Sequence, residues 1–160
     1  MTKYSLSRDD DQWTFSESGG AESYYLSGVP VARSAVTYIG MMRERSKLDN
    51  LSRLPDDWDG NGSARPERLA LVNARLWLDA IFAVSTSTPF FWIPPHISAS
   101  ESGEIVFEWW WKHRKLTIYF GTNNIEYIKV WGPDIDNEME MGVLSNASEF
   151  AGYWNWLFGR

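Results

Sequence analysis

The chain contains no cysteine, which excludes disulfides and every thiolate metal site. Histidine is scarce: His96 and His113 are the only two, too few and too isolated for a histidine metal site or a triad to be read from them. No apolar run approaches the roughly 20 residues a membrane helix needs, since Leu69 to Val84 is interrupted by Asn73, Arg75 and Asp79. Nothing near Met1 reads as a signal peptide, so a cytoplasmic location is the expectation. Basic residues are in deficit, 15 Lys and Arg against 21 Asp and Glu, for a formal net charge of −6. That balance weighs against phosphate-backbone binding, which draws its affinity from clustered cations. It suits a basic protein partner. No cofactor or metal is expected.

What the chain has in excess is tryptophan, 10 in 160 residues, within an aromatic share of 16%. A core of large rings takes most of them; Trp and Tyr are also enriched in binding hot spots, so some are candidate surface anchors. At this length the chain fits one domain and buries roughly 70% of its unfolded surface.

Residues 1–30 are punctuated by Asp9-Asp10-Asp11, Ser18-Gly19-Gly20 and Ser27-Gly28, and read as a loosely held lead-in with at most a strand around Tyr24 to Leu26. From 31 to 160 the pattern is a single α+β domain. Val36, Ile39 and Met41 or Met42 recur at helical spacing, predicting a helix from Val31 to about Leu48, with Arg43, Arg45 and Lys47 near its C-terminal end. Pro66 suits the first turn of a second helix running to about Val84, whose apolar residues leave only the narrow stripe Arg68, Arg75 and Asp79 and predict burial on most sides. Pro89 to Pro95 reads as extended.

Glu104 to Trp111, Lys115 to Phe120 and Ile125 to Trp131 then predict an antiparallel meander, four-stranded if Ile97 to Ser100 joins it. A last helix starts at Asn146, with Glu149 in the capping-box position, and ends at Gly159; Phe150, Trp154, Leu157 and Phe158 are its apolar stripe. The fold expected is two helices, a three- or four-stranded meander, and a C-terminal helix.

The run Leu51-x-x-Leu54-Pro55-x-x-Trp58-Asp59-Gly60-x-Gly62-x-Ala64-x-Pro66, with the Pro94-Pro95 stretch and the strand reaching Glu108-Trp109, resembles a family of small bacterial proteins. In that family a Trp-Asp-Gly-x-Gly stretch precedes an apolar helix and an antiparallel meander. The likeness covers about residues 51–120 and implies architecture; no activity comes with it.

Three stretches carry candidate chemistry. Asp57-Trp58-Asp59-Gly60-Asn61-Gly62 reproduces the first half of a calcium loop, but the twelfth position, where a bidentate Glu is required, is Arg68. A tight turn with Trp58 packed between the two helices explains the same residues. Lys112-His113-Arg114-Lys115 could place a general base among cations, as in a small ribonuclease, or be a solvated hairpin turn. Alternation in the meander assigns Ile105, Phe107, Trp109, Leu116, Ile118 and Phe120 to the core. Extending it to the third strand puts Ile128 and Val130 inward and leaves Trp110, Tyr119, Tyr127 and Trp131 on an outer aromatic face. Beyond it Asp134, Asp136, Glu138 and Glu140 read as an acidic loop.

These eight residues are the expected partner-binding set. The functional expectation is a non-enzymatic module of the inhibitor, antitoxin, immunity or anti-defence type, acting on a nucleic-acid-handling protein with a basic surface. The competing expectation is an RNA-processing enzyme or single-strand binder using Lys112 to Lys115 and the aromatic face.

Overall fold

The computed structural model describes residues 4–9, 12–17, 29–86 and 92–159. The chain divides into two compact units, Met1–Ala32 and Arg33–Arg160. In the first, β1 (Tyr4–Asp9) and β2 (Gln12–Glu17) form an antiparallel hairpin. The strand expected at Tyr24 to Leu26 lies outside the described residues.

The second unit is α+β. Helix α1 (Val29–Leu51), which starts four residues before this unit, leads to α2 (Arg68–Thr86), then β3 (His96–Ala99), β4 (Ile105–Trp111), β5 (Arg114–Phe120), β6 (Ile125–Val130), β7 (Met139–Val143) and α3 (Ala147–Phe158). The five strands β3 to β7 pair in sequence order, all antiparallel. The sheet thus has one strand more than the longest meander expected. The addition is β7, drawn from the stretch read as an acidic loop.

Helices α2 and α3 pack on one face of this sheet. The core between them is built from Ala70, Leu71, Ala74, Leu78 and Ile81 of α2, from Phe150, Trp154, Leu157 and Phe158 of α3, and from Ile105, Phe107, Trp109, Leu116, Ile118 and Phe120 of the sheet. Burial of so many large apolar side chains, at roughly 1.5–3 kcal/mol each, is what holds the helices down. Asn146 caps α3 by accepting from the backbone N–H groups of Ser148 and Glu149, as the capping-box pattern predicts.

Four expectations need correction. Helix α2 begins two residues after Pro66, because the Glu67 carbonyl accepts its first helical bond from Leu71 and the Glu67 N–H is held by the Gly103 carbonyl. It is buried along one face only: Leu69, Val72 and Leu76 are exposed. By length and composition α2 could cross a membrane; here its charges pair with α1, Arg75 with Asp49 and Asp79 with Arg45, each at 2.7 Å. The buried stripe of α1 is Met41, Glu44 and Leu48, while Ile39 and Met42 are exposed. Because α1 runs on to Leu51, no basic residue lies in its last turn.

Candidate binding surfaces

Register across the sheet divides its side chains into two faces. On the helix side, Ile97, Phe107, Ile118, Tyr127 and Gly142 form one row and Trp109, Leu116, Lys129 and Glu140 another. On the opposite side the rows are Ser98, Val106, Tyr119, Glu126, Val143; His96, Glu108, Thr117, Ile128, Met141; and Trp110, Lys115, Val130, Met139. The third strand is therefore inverted relative to the sequence expectation. Tyr127 and Lys129 face the helices, and Ile128 and Val130 lie on the outer face with Trp110 and Tyr119.

The reason is a polar cluster on the helix side. Lys129 is buried, with its Nζ 5.1 Å from the Tyr153 ring centroid, 5.2 Å from that of Trp156 and 5.9 Å from that of Tyr127. Its charge is met by Glu140 at 2.8 Å, and the Tyr127 hydroxyl donates to the same carboxylate at 2.7 Å. A buried ammonium needs this combination of counter-charge and ring faces. Lys129 and Tyr127 hold Glu140 below the usual carboxylate range. Tyr153, burial and Glu140 together push the Tyr127 hydroxyl above the usual tyrosine range. A side chain at Gly142 would meet the Tyr127 ring at 2.9 Å, so glycine there lets the ring lie across β7.

Beside this cluster is a cleft of about 290 Å³ lined by His113, Arg114, Lys129, Trp131, Glu140 and Trp156. Arg114 donates to the Trp156 and Gly159 carbonyls, satisfying the C-terminal end of α3. Trp131 stands edge to face with Trp156, ring centroids 6.1 Å apart. His113 is exposed at the β4–β5 turn, where Lys112 takes a left-handed φ of 55°.

The outer face is chemically different. Trp110 is 53% exposed, with the Lys115 ammonium 5.1 Å from its ring centroid and the His96 ring at 6.1 Å. Glu108 accepts the Lys115 ammonium at 2.5 Å, so the charges beside Trp110 are internally matched. Toward β7 the face becomes apolar, with Met141 and Val143 exposed at 63% and 58%. A hollow of about 380 Å³ opens there, its lining including Tyr119, Ile128, Met141 and Val143 with the carboxylates of Glu104 and Glu126.

The four acids of the expected loop also separate. Asp134 is folded into the turn, accepting from the Asp136 N–H at 3.2 Å and the Asn137 amide at 2.8 Å. Glu138 turns back to accept from the Asp134 N–H at 2.9 Å. Asp136 is exposed, and Glu140 belongs to the Lys129 cluster. Of the eight expected residues, Trp110 and Tyr119 share the outer face, Asp134, Asp136 and Glu138 stand on the loop at the Trp110 end of the sheet, and Tyr127, Trp131 and Glu140 belong to the helix side. Ile128, Val130, Met139, Met141 and Val143, the apolar part of the outer face, were not in the expected set. Period-two alternation through 139, 141 and 143 is the signal that could have found the last of them.

The Gly-rich loop uses its carboxylates on itself. Asp59 accepts from the Ser63 hydroxyl at 2.7 Å and the Asn61 N–H at 3.0 Å, which hold its pKa down at about 2. Asp57 accepts from the Gly62 N–H at 2.7 Å. The Trp58 indole closes the loop onto the Ala64 carbonyl at 3.2 Å.

No family model, curated protein or solved structure matches this chain.

Proposed function

We propose that the chain is a non-enzymatic protein-binding module of the inhibitor or antitoxin type, and that its partner docks on the outer face of the five-stranded sheet. The observation that carries this reading is the exposure of Trp110, Met141 and Val143 on one apolar and aromatic face, opposite the face that α2 and α3 cover. Exposed large apolar side chains sharing one sheet face mark interaction sites, and Trp is enriched among the anchors of such sites. Tyr119 and Ile128 extend the contact; Asp134 and Asp136, with the net charge of −6, favour a basic partner. A nucleic-acid-handling protein has such a surface, and a cytoplasmic setting goes with that proposal.

Binding kinetics test the division of labour, with the partner obtained by affinity purification from the native cell. Trp110→Ala or Tyr119→Ala should chiefly speed dissociation, while Asp134→Asn with Asp136→Asn should slow association and flatten its salt dependence. Rates unchanged in both variants would place the interface elsewhere.

A second reading is favoured by one observation, the exposed His113 beside Arg114 and Lys129 in the cleft: cleavage or binding of RNA. Both cations already have partners, the α3 carbonyls and Glu140, which is why this reading ranks second. RNA cleavage by the purified chain, abolished in a folded His113→Ala variant, would reverse the order.

A further inference from the structure

Strand β7 is the sheet edge, with β6 its only strand neighbour among the described residues. Two backbone bonds frame the β6–β7 pair: the Trp131 N–H donates to the Glu138 carbonyl at 2.9 Å and the Leu144 N–H to the Ile125 carbonyl at 2.7 Å. In an antiparallel ladder the residues that bond to the neighbour alternate. Residues 138, 140, 142 and 144 therefore turn their backbone groups toward β6. Met139, Met141 and Val143 turn theirs outward, where an unpaired edge is a template for another strand. The usual guards are missing from it: β7 contains no Pro and no Lys, and its single charge, Glu140, is engaged by Lys129. The other edge, β3, is four residues long and follows directly on Pro94-Pro95.

We infer that β7 pairs with β7 of a second copy of this chain, joining two sheets into one across a two-fold axis at Met141. The register is the one that the backbone and the side chains both allow. Met141 faces Met141 of the other copy and Met139 faces Val143, so every residue whose N–H and C=O point outward meets another such residue. On the outer face the exposed apolar side chains cover one another. On the helix side Glu140 falls opposite Gly142, and beyond the strand Glu138 falls opposite Leu144, so no carboxylate confronts a carboxylate. A symmetric pairing of like surfaces is the commonest way for soluble chains to associate.

The short contact makes the dimer weak and reversible. Two chains of charge −6 repel, so salt tightens the dimer, whereas it loosens docking of a basic partner. In the dimer Met141 and Val143 pass from the proposed docking face into the seam while Trp110 and Tyr119 stay outside it, so self-pairing and partner docking compete for β7.

Sedimentation equilibrium of the full chain across a concentration series, at about 0.05 M and about 0.5 M salt, tests it. The expected result is a monomer–dimer equilibrium that strengthens several-fold at the higher salt. Met141→Lys, which sets two ammonium groups across the axis, and Val143→Pro, which deletes an outward N–H, should each abolish the dimer while the melting temperature stays near that of the parent. A chain that remains monomeric at about 1 mM in high salt, or a dimer that persists undiminished in the folded variants, would overturn the inference.

Discussion

Trp109 and Trp154 stand edge to face in the middle of the core, ring centroids 5.9 Å apart. The Trp109 indole donates to the Ile93 carbonyl at 2.9 Å, whereas the buried Trp154 indole N–H has no hydrogen-bond partner among the described residues. Either Trp→Ala change should cost about 3–5 kcal/mol through the cavity it leaves. Trp→Phe separates the two, because only at position 109 does it orphan a carbonyl, adding about 1–3 kcal/mol. Urea midpoints should fall further for Trp109→Phe than for Trp154→Phe; equal falls would contradict the hydrogen-bond assignment. Counting apolar residues along α2 points instead to Trp77 as the critical ring, but it is only partly buried, tilted against Phe120 at 6.2 Å. At the loop, Asp59 is depressed from 3.8 to about 2, so its carboxylate supports the fold fully above pH 3.8 and that support is lost as pH falls toward 2. Asp59→Asn should flatten the acid limb of the stability curve in that window. An unchanged limb by circular dichroism would show that the Ser63 and Asn61 bonds contribute nothing.

Glycines in the loops decide how elements meet. Gly103, at φ 87°, turns β3 into β4 against the loop before α2, and a Cβ there would lie 2.7 Å from the Arg65 carbonyl oxygen. Gly60, at φ 74°, has open space around it. Both →Ala changes incur the left-handed penalty of about 1–2 kcal/mol, but Gly103→Ala must also push the loop off the turn. Thermal unfolding should show the larger drop for Gly103→Ala, and equal drops would mean that the loop yields without cost. Much at this scale was legible in the sequence: the caps of α3, the alternation of β4 and β5, and the helix that becomes α2. The inversion of β6 was not. Its two alternating sets, Ile125, Tyr127, Lys129 and Glu126, Ile128, Val130, each hold one charge, so periodicity could not choose a face. The choice was made by Tyr153 and Trp156, distant in sequence, which shelter Lys129. Strand β7 was hidden for a related reason: Glu140 and the three acids before it suggest a solvated loop until Lys129 is known to stand opposite Glu140.

Taken whole, the unit from 33 to 160 has one sheet face covered by helices and one that ends in Trp110, Met141 and Val143 at the surface. The composition foretold an acidic, aromatic-rich domain, yet it could not say which rings the core would take. Tyr127 and Trp131 went to the helix side, and the outer face is left to Trp110 and Tyr119 with the apolar residues of β6 and β7. The outer face is proposed to meet a partner in the cell. A photoreactive phenylalanine analogue placed at Trp110 tests it directly, with the same probe at Asn155, exposed on α3, as the control. Irradiation of the native cell should yield one discrete adduct with a basic protein from position 110 and none from position 155. No adduct at 110, or the same adduct from both positions, would contradict the claim.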